Sequence, residues 1–178
     1  MDPDWQEDLK RAGGSAWLLW REQGLWALAL YRYGRRVDRM PKGIARRIHN
    51  RLYWLCYRVV ETLTGIGLPK AATVGGGLRI WHFGGIFIHP RVVMGRNCTL
   101  RQGVTIGDKG DNGAVPTIGQ GVDFGAYAQV LGPVHVGDGA VIGAMAVVVK
   151  DVPAGATVVG NPARIIRLSG REVDHAGA

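Results

Sequence analysis

A six-residue period between Pro116 and Val149 constrains the fold of this chain more than any other feature of its sequence. Every sixth position in that stretch is apolar, and the position two residues earlier is small or aliphatic. The periodic residues are Ile118, Phe124, Val130, Val136, Ile142 and Val148, with Val122, Ala128, Val134, Ala140 and Ala146 as their partners. The phase continues backward through Ile106, Leu100, Met94 and Ile88, with Val104, Cys98, Val92, Ile86, Ile80 and Val74 as partners. A fixed period over about ninety residues is typical of a solenoid.

Six residues per face and three faces per turn describe a triangular prism. Each periodic residue then points to the axis and stacks on the residue eighteen positions away. Glycine follows several of them, as at Gly119 and Gly137, and permits the backbone conformations that sharp corners require. Helices and strands have periods of 3.6 and 2, so neither explains this pattern. We therefore predict a mainly β protein, a parallel β-helix; the alternative, a glycine-rich β-sandwich, would show alternation and irregular turn spacing.

Composition limits where such a protein works and what it binds. The 178 residues suffice for one domain, or one domain and a small appendage. The formal charge of +8 favours anionic partners. Cys56 and Cys98 are too few for a disulfide framework, which indicates a reducing compartment. Without a stretch of eighteen apolar residues or a signal peptide, we expect a soluble cytoplasmic protein, with a position on the inner face of the membrane left open.

The N-terminal third lacks the six-residue period. We expect residues 1–15 to be loosely ordered, with at most a short turn around residues 4–11. Helical spacing predicts one helix from Ser15 to about Met40 and a second from about Lys42 to Leu63. Ile44, Ile48, Leu52, Leu55 and Val59 share one face of the second helix. The predicted organisation is thus a helical segment (1–63), a β-helix (64–168) and a polar tail (169–178).

The two predicted helices are basic and rich in aromatic residues. Nine basic residues and one acidic residue, Asp38, lie between Arg32 and Arg58. The interpretation we favour is a cap packed on the open end of the prism, with its arginines pointing outward. A cap that also touches an anionic membrane through residues 15–60 is an alternative. Nucleic-acid binding is disfavoured, because no recognisable nucleic-acid motif accompanies the charge.

Three runs of sequence resemble the serine acetyltransferase family and its relatives. They are GLRIWHFGGIFIHP (77–90), RQGVTIG (101–107) and KDVPAGATVVGNPARII (150–166). The likeness covers about residues 64–168 and is strongest to the short branch that resembles colanic acid and other exopolysaccharide O-acetyltransferases. It implies a left-handed β-helix of hexapeptide repeats, acetyl-CoA as the acyl donor and a homotrimer.

The resemblance also implies which residues form the active site. Acyl transfer to a hydroxyl needs a base for the hydroxyl proton and hydrogen-bond donors for the oxyanion. His82 lies where the family has its catalytic histidine, although a lone histidine in a solenoid is often only a surface residue. The loop 108–115 is expected to enclose the acceptor site, with a backbone N–H near Asp108 as oxyanion donor; a tolerated insertion is the alternative. Trp81, Gly84 and His89 complete the predicted acceptor site.

Coenzyme A is expected along the outside of the coils, where small residues let its pantetheine arm approach the backbone. The matching positions are Gly125, Ala126, Gly143 and Ala144, with Lys150 and Arg164 or Arg167 as partners for the phosphates. Packing alone also favours small residues at coil corners. No metal is predicted, because His82 and His89 do not supply the three converging histidines of a zinc site.

Three departures from the serine enzymes bear on the acceptor. Trp81 and Gly67 stand where those enzymes carry aspartates, the second of which orients the catalytic base. Ala114 and Val115 replace an Arg-His pair. A buried site without countercharges binds a zwitterionic amino acid poorly, whereas Trp81 offers an aromatic face to a sugar ring. We therefore expect an O-acetyltransferase acting on a sugar of an exopolysaccharide or its lipid-linked precursor. Serine or another small-molecule acetyltransferase, and a non-catalytic scaffold, are the alternatives.

Overall fold

Helices pack against one end of a parallel β-helix in the computed structural model, which describes residues 2–110, 113–168 and 171–172. Predictions made for Asp111 and Asn112 in the loop, and for most of the tail, lie outside these residues. The helices are α1 (Pro3–Ala12), a 3-10 helix (Ala16–Trp20), α2 (Gln23–Arg39) and α3 (Ile44–Thr64). The parallel β-helix predicted from the six-residue period is confirmed.

The strands are short and follow one another at regular intervals. In chain order they are β1 (Ile66–Gly67), β2 (Thr73–Val74), β3 (Arg79–Ile80), β4 (Ile86–Ile88), β5 (Val93–Met94), β6 (Thr99–Leu100), β7 (Thr105–Gly107), β8 (Thr117–Ile118), β9 (Asp123–Phe124), β10 (Gln129–Leu131), β11 (His135–Val136), β12 (Val141–Ile142), β13 (Val147–Val148), β14 (Thr157–Val159), β15 (Arg164–Leu168) and β16 (Arg171–Glu172).

Every third strand stacks into the same sheet, as a three-sided solenoid requires. Sheet A has the order β1-β4-β7-β10-β13, sheet B the order β11-β8-β5-β2, and sheet C the order β16-β15-β14-β12-β9-β6-β3. The coils pair in parallel up to β14, and β15 then turns back antiparallel on β14.

The stacking interval is not uniform, which corrects the prediction that every residue stacks on the one eighteen positions away. Ile118 pairs with Val136 at that interval. Val74 pairs with Met94, twenty residues on, and Met94 pairs with Ile118, twenty-four residues on. The extra residues leave the solenoid at its corners, near His82 and in the loop 108–115. Those near His82 shift the six-residue phase, so Val74 and Ile80, predicted among the partners, instead stack on Met94 and Leu100 of the main periodic set.

The inward positions form the core. Each residue of the two periodic sets, from Val74 to Val148, is at most 5% exposed. Burying an aliphatic side chain contributes about 1.5–3 kcal/mol, so the stacked rows supply most of the driving force for the coils. The core predicted from the period is confirmed.

Helix α1 occupies residues that were expected to be loosely ordered, and that expectation is wrong. The Asp2 side chain accepts a hydrogen bond from the Asp4 N–H (3.0 Å) and caps the helix. Arg11, in its last turn, donates to the carbonyls of Gly77 (2.6 Å) and Cys98 (2.9 Å). These long-range bonds tie a polar helix to two coils, which periodicity alone could not reveal.

Helix α2 covers the first coil, as the cap interpretation predicted, although the single helix expected from Ser15 to Met40 is interrupted before Gln23. The Tyr31 hydroxyl donates to the Ala72 carbonyl and accepts from the Val74 N–H, both at 2.9 Å. Arg32 is 3% exposed and pairs with Asp8 at 2.8 Å. The prediction that the cap's arginines point outward is therefore wrong for Arg32.

Helix α3 presents its apolar face to solvent, so this face takes no part in the cap that was predicted for the two helices. The apolar residues of this face, from Ile44 to Leu63, have exposed fractions of 47–76%. Tyr53 and Thr64, on the other side of the helix, are the buried residues instead. In the described part of the chain, no helix is both long and apolar enough to span a bilayer.

Candidate active site

His82 lies in a turn between β3 and β4, at the corner where sheet C gives way to sheet A. The Trp81 N–H donates to the Leu100 carbonyl (3.0 Å) and fixes the start of the turn. Gly84 and Gly85 follow with φ of 101° and 66°, conformations that glycine adopts readily. The His82 side chain is exposed, and its ring has no hydrogen-bond partner within the described residues. The ring is thus accessible to a substrate, and no group among the described residues fixes its tautomer by a hydrogen bond.

A cavity of about 290 Å³ opens beside His82. One wall is the turn itself, and the other is the beginning of α2. Its lining residues are Arg21, Glu22, Gln23, Gly24, Arg79, Ile80, Trp81, His82 and Phe83. The α2 wall was not foreseen, because the sequence pattern gives no indication of which coil the helix contacts.

Arg79 holds the Trp81 ring at this cavity. Its guanidinium pairs with the Glu22 carboxylate, with Nη2 and Oε1 3.1 Å apart, and its Cζ lies 4.3 Å from the centre of the Trp81 ring. The Arg79 side chain is 7% exposed, and its Nε has no hydrogen-bond partner in the described structure. The indole is therefore fixed on one face by a desolvated cation while it remains 51% exposed.

The predicted coenzyme A positions lie on the same corner as His82. Backbone hydrogen bonds stack the successive turns: Gly103 N–H to Gly84 O, Tyr127 N–H to Gln102 O and Met145 N–H to Ala126 O. Gly125 and Ala126 belong to the third turn of this stack, and Gly143 and Ala144 to the fourth. We call this stack the His82 corner (residues 81–85, 101–104, 125–128 and 143–146). A Cβ on Gly125 would lie 2.4 Å from the Ala144 amide nitrogen, so adjacent turns are in close contact.

Two large side chains on the His82 corner were missed. Tyr127 and Met145 have φ of 60° and 59° and are 55% and 72% exposed. The equivalent residues of the earlier turns are Gly85 and Gly103, and the Tyr127 ring covers Gly103. A bulky residue in a left-handed conformation carries strain that often accompanies function. The available signal was a large residue where other repeats have glycine.

The rest of the predicted acceptor site lies at a different corner. His89 and Asp108 follow β4 and β7, at the opposite end of sheet A from His82. The His89 Nδ1 accepts from the Arg91 N–H (3.1 Å), while the Asp108 N–H donates to no backbone carbonyl of the described chain. One chain therefore does not bring Asp108 or His89 to His82.

The basic residues predicted to bind the coenzyme A phosphates lie at different corners of the solenoid. The Ala163 N–H donates to the Val147 carbonyl (2.8 Å), so β15 begins above the His82 corner with Arg164 exposed at its start. Arg167 lies further along β15, opposite Thr157. Lys150 follows β13, at the corner of Asp108.

A carboxylate lies close to Gly67, the position at which the serine enzymes have the aspartate that orients the catalytic base. The Oε1 atom of Glu61 lies 3.2 Å from the point at which residue 67 would carry a Cβ. The Tyr57 hydroxyl donates to the same atom at 3.1 Å. Among the described residues, no group of three or more His, Cys, Asp or Glu side chains is arranged to hold a metal ion.

Comparison with known proteins agrees with this architecture. Residues 116–150 match the family described as bacterial transferase hexapeptide (six repeats). The chain is 45% identical over 111 residues to the putative colanic acid biosynthesis acetyltransferase WcaB of Escherichia coli K12, covering 61% of this chain and 68% of that protein. It is 37% identical over 149 residues to the serine acetyltransferase of Helicobacter pylori, covering 80% and 81%.

Other relatives are longer. The chain spans 47% of the serine acetyltransferase of Synechococcus elongatus, with 41% identity over 114 residues. A solved serine acetyltransferase in complex with CoA superposes with a TM-score of 0.76 at 27% identity, covering 92% of this chain and 68% of that one. The likeness therefore includes the N-terminal helices as well as the coils.

Proposed function

Because this chain belongs to the serine acetyltransferase-like family of hexapeptide-repeat transferases, we propose that it transfers acetyl from acetyl-CoA to a sugar hydroxyl. The acceptor is a sugar of an exopolysaccharide or of its lipid-linked precursor. The observation that carries this proposal is the Trp81 ring, which is fixed by Arg79 and half exposed at the cavity beside His82. An aromatic face of this kind packs on the apolar face of a pyranose.

His82 acts as the general base. Its unprotonated ring nitrogen accepts the acceptor's hydroxyl proton while the oxygen attacks the thioester carbonyl carbon. The tetrahedral intermediate then collapses: the carbon–sulfur bond breaks, and the imidazolium returns the proton to the departing thiolate of coenzyme A. Imidazole is the side-chain group that can both accept and return a proton near neutral pH, as these two steps require. Transfer is direct, since Cys98 is buried in the core and the residues that line the His82 cavity include no serine, threonine or cysteine.

The cavity charges favour a neutral acceptor over a zwitterion. Arg79 and Glu22 pair with each other, so neither is free to pair with an ammonium or carboxylate group. L-serine is the second candidate, supported by relatives named serine acetyltransferases and by Arg21, which lines the cavity. Serine would need a carboxylate contact from Arg21, and its ammonium would have no unpaired carboxylate among the lining residues.

We propose that the working form is a homotrimer. His82 and the Asp108 loop lie at opposite ends of sheet A, so a neighbouring subunit is needed to bring a loop against each His82. Large apolar side chains on and near this face support a subunit contact. They are Phe83, Phe87, Tyr127 and Met145, each at least 50% exposed. In such a trimer, Arg164 and Arg167 from one chain and Lys150 from its neighbour are the candidates for the coenzyme A phosphates.

Release of free thiol from acetyl-CoA tests the proposal. Wild-type protein is assayed with L-serine and with a panel of sugars and polysaccharide fragments, beside His82→Ala. His135→Ala is the matched control, because His135 is exposed on sheet B, away from the His82 corner. We expect sugar-dependent release that falls about 10²–10⁴-fold in His82→Ala and is unchanged in the control.

Each other outcome has a definite meaning. Release with serine alone would overturn the sugar assignment and establish the second candidate. Equal activity of His82→Ala and wild type would remove His82 as the base. No thiol release with any acceptor, together with no binding of coenzyme A, would show that the chain is a non-catalytic scaffold.

A further inference from the structure

Helix α3 carries an apolar stripe along its whole length. We define the apolar stripe as six residues that recur at three- and four-residue spacing and lie on one side of the helix. They are Ile44, Ile48, Leu52, Leu55, Val59 and Leu63, with exposed fractions of 76%, 61%, 47%, 66%, 50% and 64%. A contiguous apolar surface of this kind on a helix marks an interaction site.

The stripe is held outward by contacts on the other side of α3. The Tyr53 hydroxyl accepts a hydrogen bond from the Lys70 N–H (2.9 Å). The Tyr53 ring also packs against Gly34 of α2, where a Cβ would lie 2.4 Å from a ring carbon. Because Tyr53 is fully buried, rotating α3 to hide the stripe would break this contact.

Positive charge accompanies the stripe. Arg47, Arg51 and Arg58 are exposed and, at 100° per residue, lie along one edge of it. Lys42 adds an exposed charge just before the helix begins, whereas Arg46 pairs with Asp38 at 3.8 Å. Glu61 is the single acidic residue of α3, and it receives a hydrogen bond from Tyr57 and pairs with Arg58 at 3.7 Å.

We propose that α3 lies flat in the surface of an anionic lipid bilayer. The apolar stripe enters the boundary between headgroups and acyl chains, and the arginine edge contacts lipid phosphates. The helix does not cross the bilayer, in keeping with the hydropathy of the described helices. This inference goes beyond the proposed acetyl transfer and does not depend on it.

Charge favours a lipid surface over a second copy of this chain as the occupant. Two copies joined through the stripe would bring two sets of arginines together with one acidic residue each, and Glu61 already has partners. Like charges at a contact oppose association. An anionic bilayer instead supplies one negative charge for each arginine and an apolar layer for the stripe.

Vesicle flotation tests the proposal on the full chain. We expect binding to vesicles of phosphatidylglycerol and phosphatidylcholine, little binding to phosphatidylcholine alone, and weaker binding as salt rises. The double variant Leu52→Asp/Leu55→Asp should reduce partitioning by at least about tenfold. Arg47→Gln and Arg51→Gln should each reduce it about fivefold.

Matched controls separate this site from general effects. Val93→Asp/Val141→Asp adds the same two charges on exposed residues of sheets B and C, and Arg36→Gln removes the same charge from α2, near Trp5 and Pro3 of α1. Both should bind like wild type, and all variants should keep the wild-type unfolding midpoint. Light scattering reports the molar mass of each.

The proposal is overturned by either of two results. The first is no binding to anionic vesicles by wild type; a lower molar mass of the Leu52→Asp/Leu55→Asp variant in that case would show that a second copy covers the stripe. The second is an equal loss of binding in the control variants.

Discussion

The guanidinium of Arg79 stacks on the indole of Trp81, 4.3 Å from its ring centre, while its other edge pairs with Glu22 at the beginning of α2. One buried cation thus links the helical segment, the first coil and the aromatic wall of the His82 cavity. The N-terminal helices therefore help to shape the candidate acceptor site as well as to cover the solenoid.

Trp81→Leu is expected to weaken binding of the sugar acceptor. Loss of the aromatic face should raise KM for the sugar about tenfold, equivalent to about 1.4 kcal/mol, and leave KM for acetyl-CoA unchanged. Steady-state kinetics with each substrate varied in turn measures both values. Trp54→Leu, on α3, is the control; a matching rise in that variant would rule out a specific role for Trp81.

Glu22→Gln is expected to destabilise the fold. The Arg79 side chain is 7% exposed, and the variant leaves its guanidinium without a countercharge. Breaking such a pair costs about 3 kcal/mol of stability. Urea unfolding followed by circular dichroism measures the change. Arg58→Gln breaks a more exposed pair with Glu61 and should change stability by less than about 1 kcal/mol. Equal effects in the two variants would contradict the structural role of Arg79.

Cys98 is expected to resist alkylation in the folded protein. Its side chain is fully buried, and burial raises the pKa of the thiol to about 11. The reactive thiolate is therefore nearly absent at mildly alkaline pH. Mass spectrometry of a Cys56→Ser variant after iodoacetamide treatment isolates Cys98: it should stay unlabelled when folded and become labelled in denaturant. Labelling at the same rate in both states would refute this.

Stability is expected to fall as the pH rises from 10 to 12. Burial raises the pKa of Tyr53 to about 12, above its unfolded value near 10. The folded state thus favours the protonated hydroxyl, and the stabilisation present below pH 10 is lost as pH rises through the folded pKa. The loss attributable to Tyr53 is about 1–2 kcal/mol. Burial also raises the pKa of Tyr31, which acts in the same direction.

Urea unfolding at pH 10 and near pH 12 checks this prediction. Tyr53→Phe removes the titrating hydroxyl, and its stability should change less over the same interval than that of wild type. An unchanged pH dependence in Tyr53→Phe would show that other groups cause the loss.

The solenoid core was predictable because burial of one residue in six is a local, repeated requirement. The extra residues near His82 and in the loop 108–115 do not disturb it, since corners tolerate insertions. From the phase alone, His82 precedes the strand position of Ile86 and Asp108 follows that of Ile106. Their separation across sheet A was therefore already implied, although the family resemblance had placed both in one site.

The helices were less predictable, because their orientation depends on single long-range contacts. Helical spacing identifies the apolar stripe of α3 but cannot say that Tyr53, on the other side, packs against Gly34. Helix α1 was not predicted because its residues are mostly polar, although Asp2 and Pro3 form an ordinary helix start. Likewise, the side chain of Glu61, in the last turn of α3, lies close to Gly67, and no sequence pattern predicts this contact.

The antiparallel return of β15 on β14 affects how the protein behaves at high concentration. A stack of parallel strands is a template on which further chains can add end to end, as in fibres. Here β15 pairs antiparallel with β14, the last parallel strand of sheet C. At the other end of the solenoid, α2 covers the first coil. The last parallel strand of sheet C and the first coil are thus both covered, which opposes the end-to-end addition of further chains at these two places.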